Sequence, residues 1–423
     1  LEDHVGRLWI GAGDDYVLCR ELDQWRRYRI PRHLAIHHVD SLVESADNTI
    51  WAGSVSEGLF QFREGGLTPL NASHGLLDNF VESLLVDHEG NLWVGTSGGL
   101  SQIRPENFTV LSHPEGLGYG AVHGLAEVAP GIVWAGKPGD GLYMWNGRVF
   151  SRVTFTNLEL PQIQVSGIIA TPDGECFVGG NHGILRFTAP SVPDKPAVME
   201  LAGQPVQAVA KDSAGALWAG TRQGKLWNRR DGKWEEIPLP PPHHPITAIE
   251  VAPGGTVWVG TETAGLYCLS STNQHVLTTR NGLLSDSIRT LHVDAGGTLW
   301  IGTAGGGLSW LASPNQAPGQ VHAPNTNEAV SCFTFTKREG LPDDTINQIL
   351  EDDAGRLWFG TPGGIFSLPK KDLRDLAARK TSTLYPQTFG REEGLLSENC
   401  TGGFSPAGLR TEAGVLWFST TKG

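Results

Sequence analysis

Side chains able to do chemistry are thinly spread in this sequence. No H-E-x-x-H metal pair and no phosphate-binding P-loop occurs in its 423 residues. Two histidine pairs, His37-His38 and His243-His244, stand just ahead of alternating apolar stretches. Neighbours on a strand point to opposite faces, so such a pair cannot grip one ion as histidines four apart on a helix can, and both pairs read as loop residues without a metal. Five cysteines, Cys19, Cys176, Cys268, Cys332 and Cys400, lie far apart with no C-x-x-C, and their odd number leaves at least one unpaired within the chain. A wider set is more informative: His38, Asn79, Tyr119, Gln164, His244, Asp286, Asp344 and Glu398 each precede an apolar stretch at a similar place in the chain's pattern. Acceptors and donors mixed with one aromatic ring suit a neutral polyhydroxylated ligand better than an anion.

What would position such a set is a repeat. An apolar residue, Trp, an apolar residue, then Gly or a small residue recurs at Trp9, Trp51, Trp93, Trp134, Phe177, Trp218, Trp258, Trp300, Trp358 and Trp417. Successive anchors are 42, 42, 41, 43, 41, 40, 42, 58 and 59 residues apart. Ahead of each anchor runs a stretch of period two, such as 81–86 or 288–293, which marks a strand. A tight turn follows, such as Asp87-His88-Glu89-Gly90, where Asp bonds the backbone and Gly supplies positive φ. The anchor makes a second strand, a Gly-rich turn leads to a third, and a fourth closes the unit. Four antiparallel strands every 40 or so residues predict an all-β chain, a single-ring β-propeller spanning 1–423 as one domain.

Each anchor ring is expected to be glue between neighbouring sheets. Its burial is worth roughly 4–6 kcal/mol at most, and the Gly two residues on lets the next sheet approach. Incomplete first and last motifs favour nine blades if they share one; ten, or seven plus part of a second ring, are the alternatives. The two long spacings are expected to be insertions: 314–330 is a Pro/Asn-rich loop, and 370–380 is the one helical stretch. In such a ring the loops entering each first strand gather at one mouth of the central channel, bringing the eight residues above together. Arg289, His123 and Glu82, one residue into their strands, are placed to line the channel.

Composition sets limits on partners. A formal net charge of −13 disfavours nucleic acid and anionic membrane surfaces. No apolar run approaches the ~18 residues of a membrane span, residues 1–20 lack a signal-peptide layout, and the start at Leu1 looks like a cut.

The phrase from Glu339 to Leu368, EGLPDDTINQILEDDAGRLWFGTPGGIFSL, resembles the repeat of the two-component regulator propeller family, and the stretches from Gly75 and from Gly282 repeat it. The ending from Glu392 is similar to that family's terminal repeat, which usually precedes an immunoglobulin-like domain, a membrane span and a histidine kinase. The resemblance implies the periplasmic or extracytoplasmic sensor of a receptor that reads carbohydrates or other polar nutrients, without turnover and without a cofactor. Two other functions fit the fold: a metal-dependent lyase, which would need His244 or His38 to converge with Glu398, and a docking scaffold for proteins.

Overall fold

The computed structural model describes all residues except 13–15, 23, 30–37, 46–47, 64–65, 88–89, 104–107, 156–163, 189–196, 271–273 and 313–330. The turn ahead of the anchor and the anchor itself form one hydrogen-bonded unit. In the third motif Asp87 Oδ1 accepts the Asn91 amide at 2.9 Å while Oδ2 accepts the Trp93 indole N–H at 2.7 Å. The same bond joins Asp294 to Trp300 at 3.2 Å and Asp352 to Trp358 at 2.8 Å. One carboxylate thus fixes both the turn and the indole orientation, which is why Asp recurs six residues before Trp. Burial alone would raise Asp294, but the Thr298 amide, the Trp300 indole and the Lys370 ammonium outweigh it and hold the carboxyl below its ordinary value.

The expectation about the glycine after each anchor holds in most motifs, Gly95 being an exception. A Cβ on Gly260 would fall 2.5 Å from Ile288 of the next sheet, and one on Gly302 would fall 2.7 Å from the Ile346 carbonyl. Contact this close buries the rings: Trp134, Trp258 and Trp300 are wholly enclosed. Trp258 packs with Leu266, Ile288 and Leu299, so its core spans two consecutive sheets.

Ten antiparallel sheets form, one for each anchor, with strands in chain order. They fall into two compact units, residues 1–107 and 108–423, where the sequence suggested one domain. Among the described residues the first unit holds three sheets, the middle one with four strands and the outer two with three. The second holds seven, with first strands Leu125–Ala129, Val165–Ala170, Val206–Lys211, Ile246–Val251, Ile288–Val293, Gln348–Glu351 and Gly408–Arg410. The last sheet, Gly408–Arg410 with Leu416–Phe418, returns beside the first strand of this unit. Val122 donates its amide to the Thr420 carbonyl at 3.1 Å, and Trp417 meets Trp145 edge-on. The second unit is therefore a closed ring of seven sheets. The ten sheets come close to the nine blades favoured from the sequence, and the closing contacts join the last motif to the fourth.

The helical stretch appears as Lys370–Ala377, with Leu373 buried on the ninth sheet's core. The 314–330 loop lies outside the described residues. All five cysteines are free thiols.

Candidate functional site

The first strands of the second unit share a bulge that decides what reaches the channel. In the fifth, sixth, seventh and eighth sheets the register slips at the second residue of the strand, a device that re-aims one side chain. Most such residues bond the neighbouring sheet: Ser166 Oγ donates to the Val206 carbonyl at 2.6 Å and Thr247 Oγ1 to the Ile288 carbonyl at 2.6 Å. Asn347 Nδ2 donates to the Cys400 carbonyl at 2.8 Å, and Thr401 Oγ1 to the Val122 carbonyl at 2.8 Å, which seals last sheet to first. Three equivalent residues, His123, Gln207 and Arg289, make no such bond, and all three meet one feature of the tenth motif.

That feature is an insertion. Cys400 packs against Gly360 as Ile288 does against Gly260, but it stands 17 positions before its anchor Trp417, where Val81 stands 12 before Trp93. The additional residues cross the channel. Ser405 pairs with Ala208, and its carbonyl accepts the Val209 amide at 2.9 Å. Gln207 Nε2 donates to the Gly403 carbonyl at 2.5 Å, and Phe404 is buried with its ring stacked on His123 at 4.2 Å. Gly403, at φ +80°, suits the left-handed backbone, and a Cβ there would lie 2.5 Å from Arg289 Nη1, placing that guanidinium against the inserted segment. Burial, with the nearby Arg222 charge, pushes the His123 imidazole down to about 4, so it is neutral near pH 7.

A second built element stands at the loop before the fourth sheet. Lys137 occupies the place where seven other motifs carry Thr or Ser. It is buried, and its Nζ donates to the carbonyls of Leu117 at 3.1 Å and Tyr119 at 2.6 Å. Burial lowers the Lys137 ammonium below its ordinary value, against the pull of Asp140. Held by this bond, Tyr119 is 82 % exposed and lies flat against His113, ring centres 4.1 Å apart.

Four of the eight residues singled out from sequence have a local folding task. Asn79 Oδ1 accepts the Ala72 amide at 2.7 Å, Asp286 Oδ1 the Thr279 amide at 2.7 Å, Asp344 Oδ1 the Lys337 amide at 2.7 Å and Glu398 Oε1 the Arg391 amide at 3.3 Å. Each lies seven residues after the amide it caps, so the family's Gly-Leu-Pro phrase encodes a capped turn. Glu398, the lyase reading's carboxylate, is thus turned toward its own loop. His244 Nδ1 is 2.7 Å from Thr263 Oγ1, while His38, exposed, lies in the first unit with its carbonyl accepting the Val55 amide at 3.3 Å. The Gln164 amide donates to Asn181 Oδ1 at 3.0 Å. His37 lies outside the described residues, and Glu82 is exposed in the first unit. Among the described residues, no three His, Cys, Asp or Glu side chains are grouped to hold a metal, and no helix is long and apolar enough to cross a membrane.

Sequence reasoning reached His123 and Arg289 as channel residues but missed Gln207, Lys137 and the insertion. The signal for the last was present in the lengthened interval before Trp417.

Ten antiparallel sheets, seven of them closed around a filled channel, make this a β-propeller protein. Residues 75–98, 282–305 and 340–363 match the two component regulator propeller model, and the chain carries repeats of that family. Among solved structures it is similar to the extracellular domain of the hybrid two component system BT3049 from B. thetaiotaomicron: 19% identity, TM-score 0.61, covering 100% of this chain and 55% of that one. The extracellular domain of BT4673 from the same organism aligns at 17% identity and TM-score 0.49, over 92% of this chain and 53% of the other. A streptogramin B lyase aligns at 16% identity and TM-score 0.37, over 62% and 89%. The chain spans about half the length of the two B. thetaiotaomicron domains. No curated protein matches it.

Proposed function

We propose that the chain is the ligand-sensing part of an extracytoplasmic two-component receptor, a non-catalytic propeller that recognises a carbohydrate or another polar small molecule. The observation that carries the sensor reading is the match of three repeats to the two component regulator propeller model. The similar fold of an extracellular domain from a hybrid two-component system supports it. An immunoglobulin-like domain and a kinase would complete the receptor, as the family resemblance implies.

The ligand reading rests on Tyr119. A ring this exposed, pinned by Lys137 and braced on His113, offers a flat apolar face beside polar loop groups, as a sugar ring requires. Calorimetric titration of the chain with a panel of neutral glycans tests this. At least one member gives heat, and Tyr119→Ala weakens its binding about tenfold, the equivalent of one lost ring contact. A glycan bound equally by both proteins places the site elsewhere. A panel that gives no heat overturns the carbohydrate reading in favour of a protein-docking role.

A further inference from the structure

We propose that the channel of the second unit carries a carboxylate-binding site, built on the guanidinium of Arg289 with Arg222 and His123 as further donors around the inserted segment.

The second unit treats its other half-buried arginines differently. Arg186 and Arg229 both pair with Glu200, at 2.7 Å and 3.1 Å, and Arg356 donates to Ser367 Oγ at 3.0 Å. Arg289 is also half-buried, yet no described residue accepts from it, and its Nε is enclosed without a partner. A guanidinium has five donors in a planar fork matched to a carboxylate, and a buried donor left unmade is costly. The fold nonetheless makes room for this group. Position 289 is released from the bond that Ser166, Thr247, Asn347 and Thr401 make to their neighbouring sheets, and Gly403 removes the Cβ that would collide with Nη1.

The surroundings add positive charge near His123. Arg222 sits on the turn after the sixth anchor strand, where its amide bonds the Pro205 carbonyl at the entry to that sheet's first strand, and its exposed side chain has no acceptor among the described residues. It is close enough to His123 to help depress that ring, and a neutral imidazole still offers one N–H. Phe404, stacked on His123, supplies an apolar wall. On a chain of net charge −13, two guanidiniums with no acceptor among the described residues are a local exception that attracts an anion.

The ligand is a small polar molecule bearing a carboxylate, and within the sensor reading, on which this ligand class rests, an acidic sugar rather than a neutral one. The test compares calorimetric titrations with D-glucuronate and with D-glucose, which share a ring and differ at the carboxylate. Glucuronate is expected to give heat that glucose does not. Arg289→Gln lowers its affinity about ten- to a hundred-fold, Arg289→Lys less because charge remains without the fork, and Arg222→Gln several-fold. Thermal unfolding of each variant at the wild-type midpoint shows that a loss of heat is not a loss of fold. Glucuronate binding unchanged in Arg289→Gln, or glucuronate giving no heat, overturns the site. Heat from neutral glycans that Tyr119→Ala removes and Arg289→Gln does not would leave the sensor reading standing without it. Heat from glucuronate abolished by Arg289→Gln supports the site whatever the neutral panel does.

Discussion

The two units are made from one repeat and differ in what covers their end faces. In the second, the apolar residue opening the third strand is enclosed in every complete sheet: Leu308 is 0 % exposed and Ile365 2 %. Its equivalent in the last sheet of the first unit, Leu100, is 61 % exposed, and Leu85 on the same face is 62 % exposed. Leu8 and Ile10, flanking the first anchor, are exposed where their counterparts Leu299 and Ile301 are buried. Gly95, two residues after its anchor, meets only Ser83 of its own sheet, while Gly53, Gly260 and Gly302 meet a residue of the following sheet. The three sheets thus leave large apolar side chains exposed at both ends of the row. Seven sheets close on themselves, because Thr401 of the tenth motif bonds Val122 across the closing seam. The repeat supplies each interface, but only closure supplies the last one.

The largest effect that would sharpen this contrast is at an anchor inside the ring. Trp258→Ala is expected to destabilise the second unit by about 3–5 kcal/mol, by lost transfer and a cavity between sheets. Chemical denaturation followed by proteolysis of each unit would measure it. A loss below about 1 kcal/mol would remove the anchor role.

The paired substitution Leu308→Ala and Leu100→Ala isolates closure, since the two positions are the same in the repeat. Leu308→Ala should cost about 2–5 kcal/mol, as for a buried leucine. Leu100→Ala should stay within about 0.5 kcal/mol, as for a surface site. Equal costs would mean that the face of the third sheet is covered in solution, and the contrast between the units would fall.

Much of this was legible in the sequence, and the limits are physical. The anchors could be read because a ring packed between sheets needs Trp, flanking apolar residues and a small residue at fixed spacing, all within five positions. The helix could be read from Leu373 and Leu376 on one face. Convergence at the mouth was the weaker inference. A polar residue recurring in Asn79, Asp286 and Asp344 suggested a shared ligand, yet each caps an amide seven residues back. The constant offset from the preceding Gly-Leu was the available sign of a structural duty, because a ligand site drawn from several blades has no reason to keep it. A closed ring was expected from the repeat, but the contact that closes it was not legible: the bond from Thr401 to Val122 joins residues that no local pattern relates.

The smallest effect concerns how the channel of the closed unit responds to acid. His123 is stacked on Phe404, with its pKa held at about 4 against an ordinary 6.5, because burial and the Arg222 charge both oppose protonation. As pH falls through 6.5 the unfolded chain takes up this proton and the folded chain does not, so the unfolded state gains. The stability conferred by the neutral ring is therefore fully present above about 6.5, is lost progressively toward 4, and changes no further below. Discounted for the ring's partial contact with water, the loss is on the order of 1–2 kcal/mol. Other groups titrate in the same interval, so the informative quantity is a difference: His123→Phe keeps an aromatic partner for Phe404 but binds no proton. Thermal unfolding of both proteins from pH 7 to pH 4 should show the variant gaining on the wild type as pH falls, in the transition of the second unit and not in that of the first. Arg222→Gln, by removing one of the two causes, should narrow the gap. A difference that stays flat across the interval would mean that His123 is solvated, and its burial against Phe404 would fall.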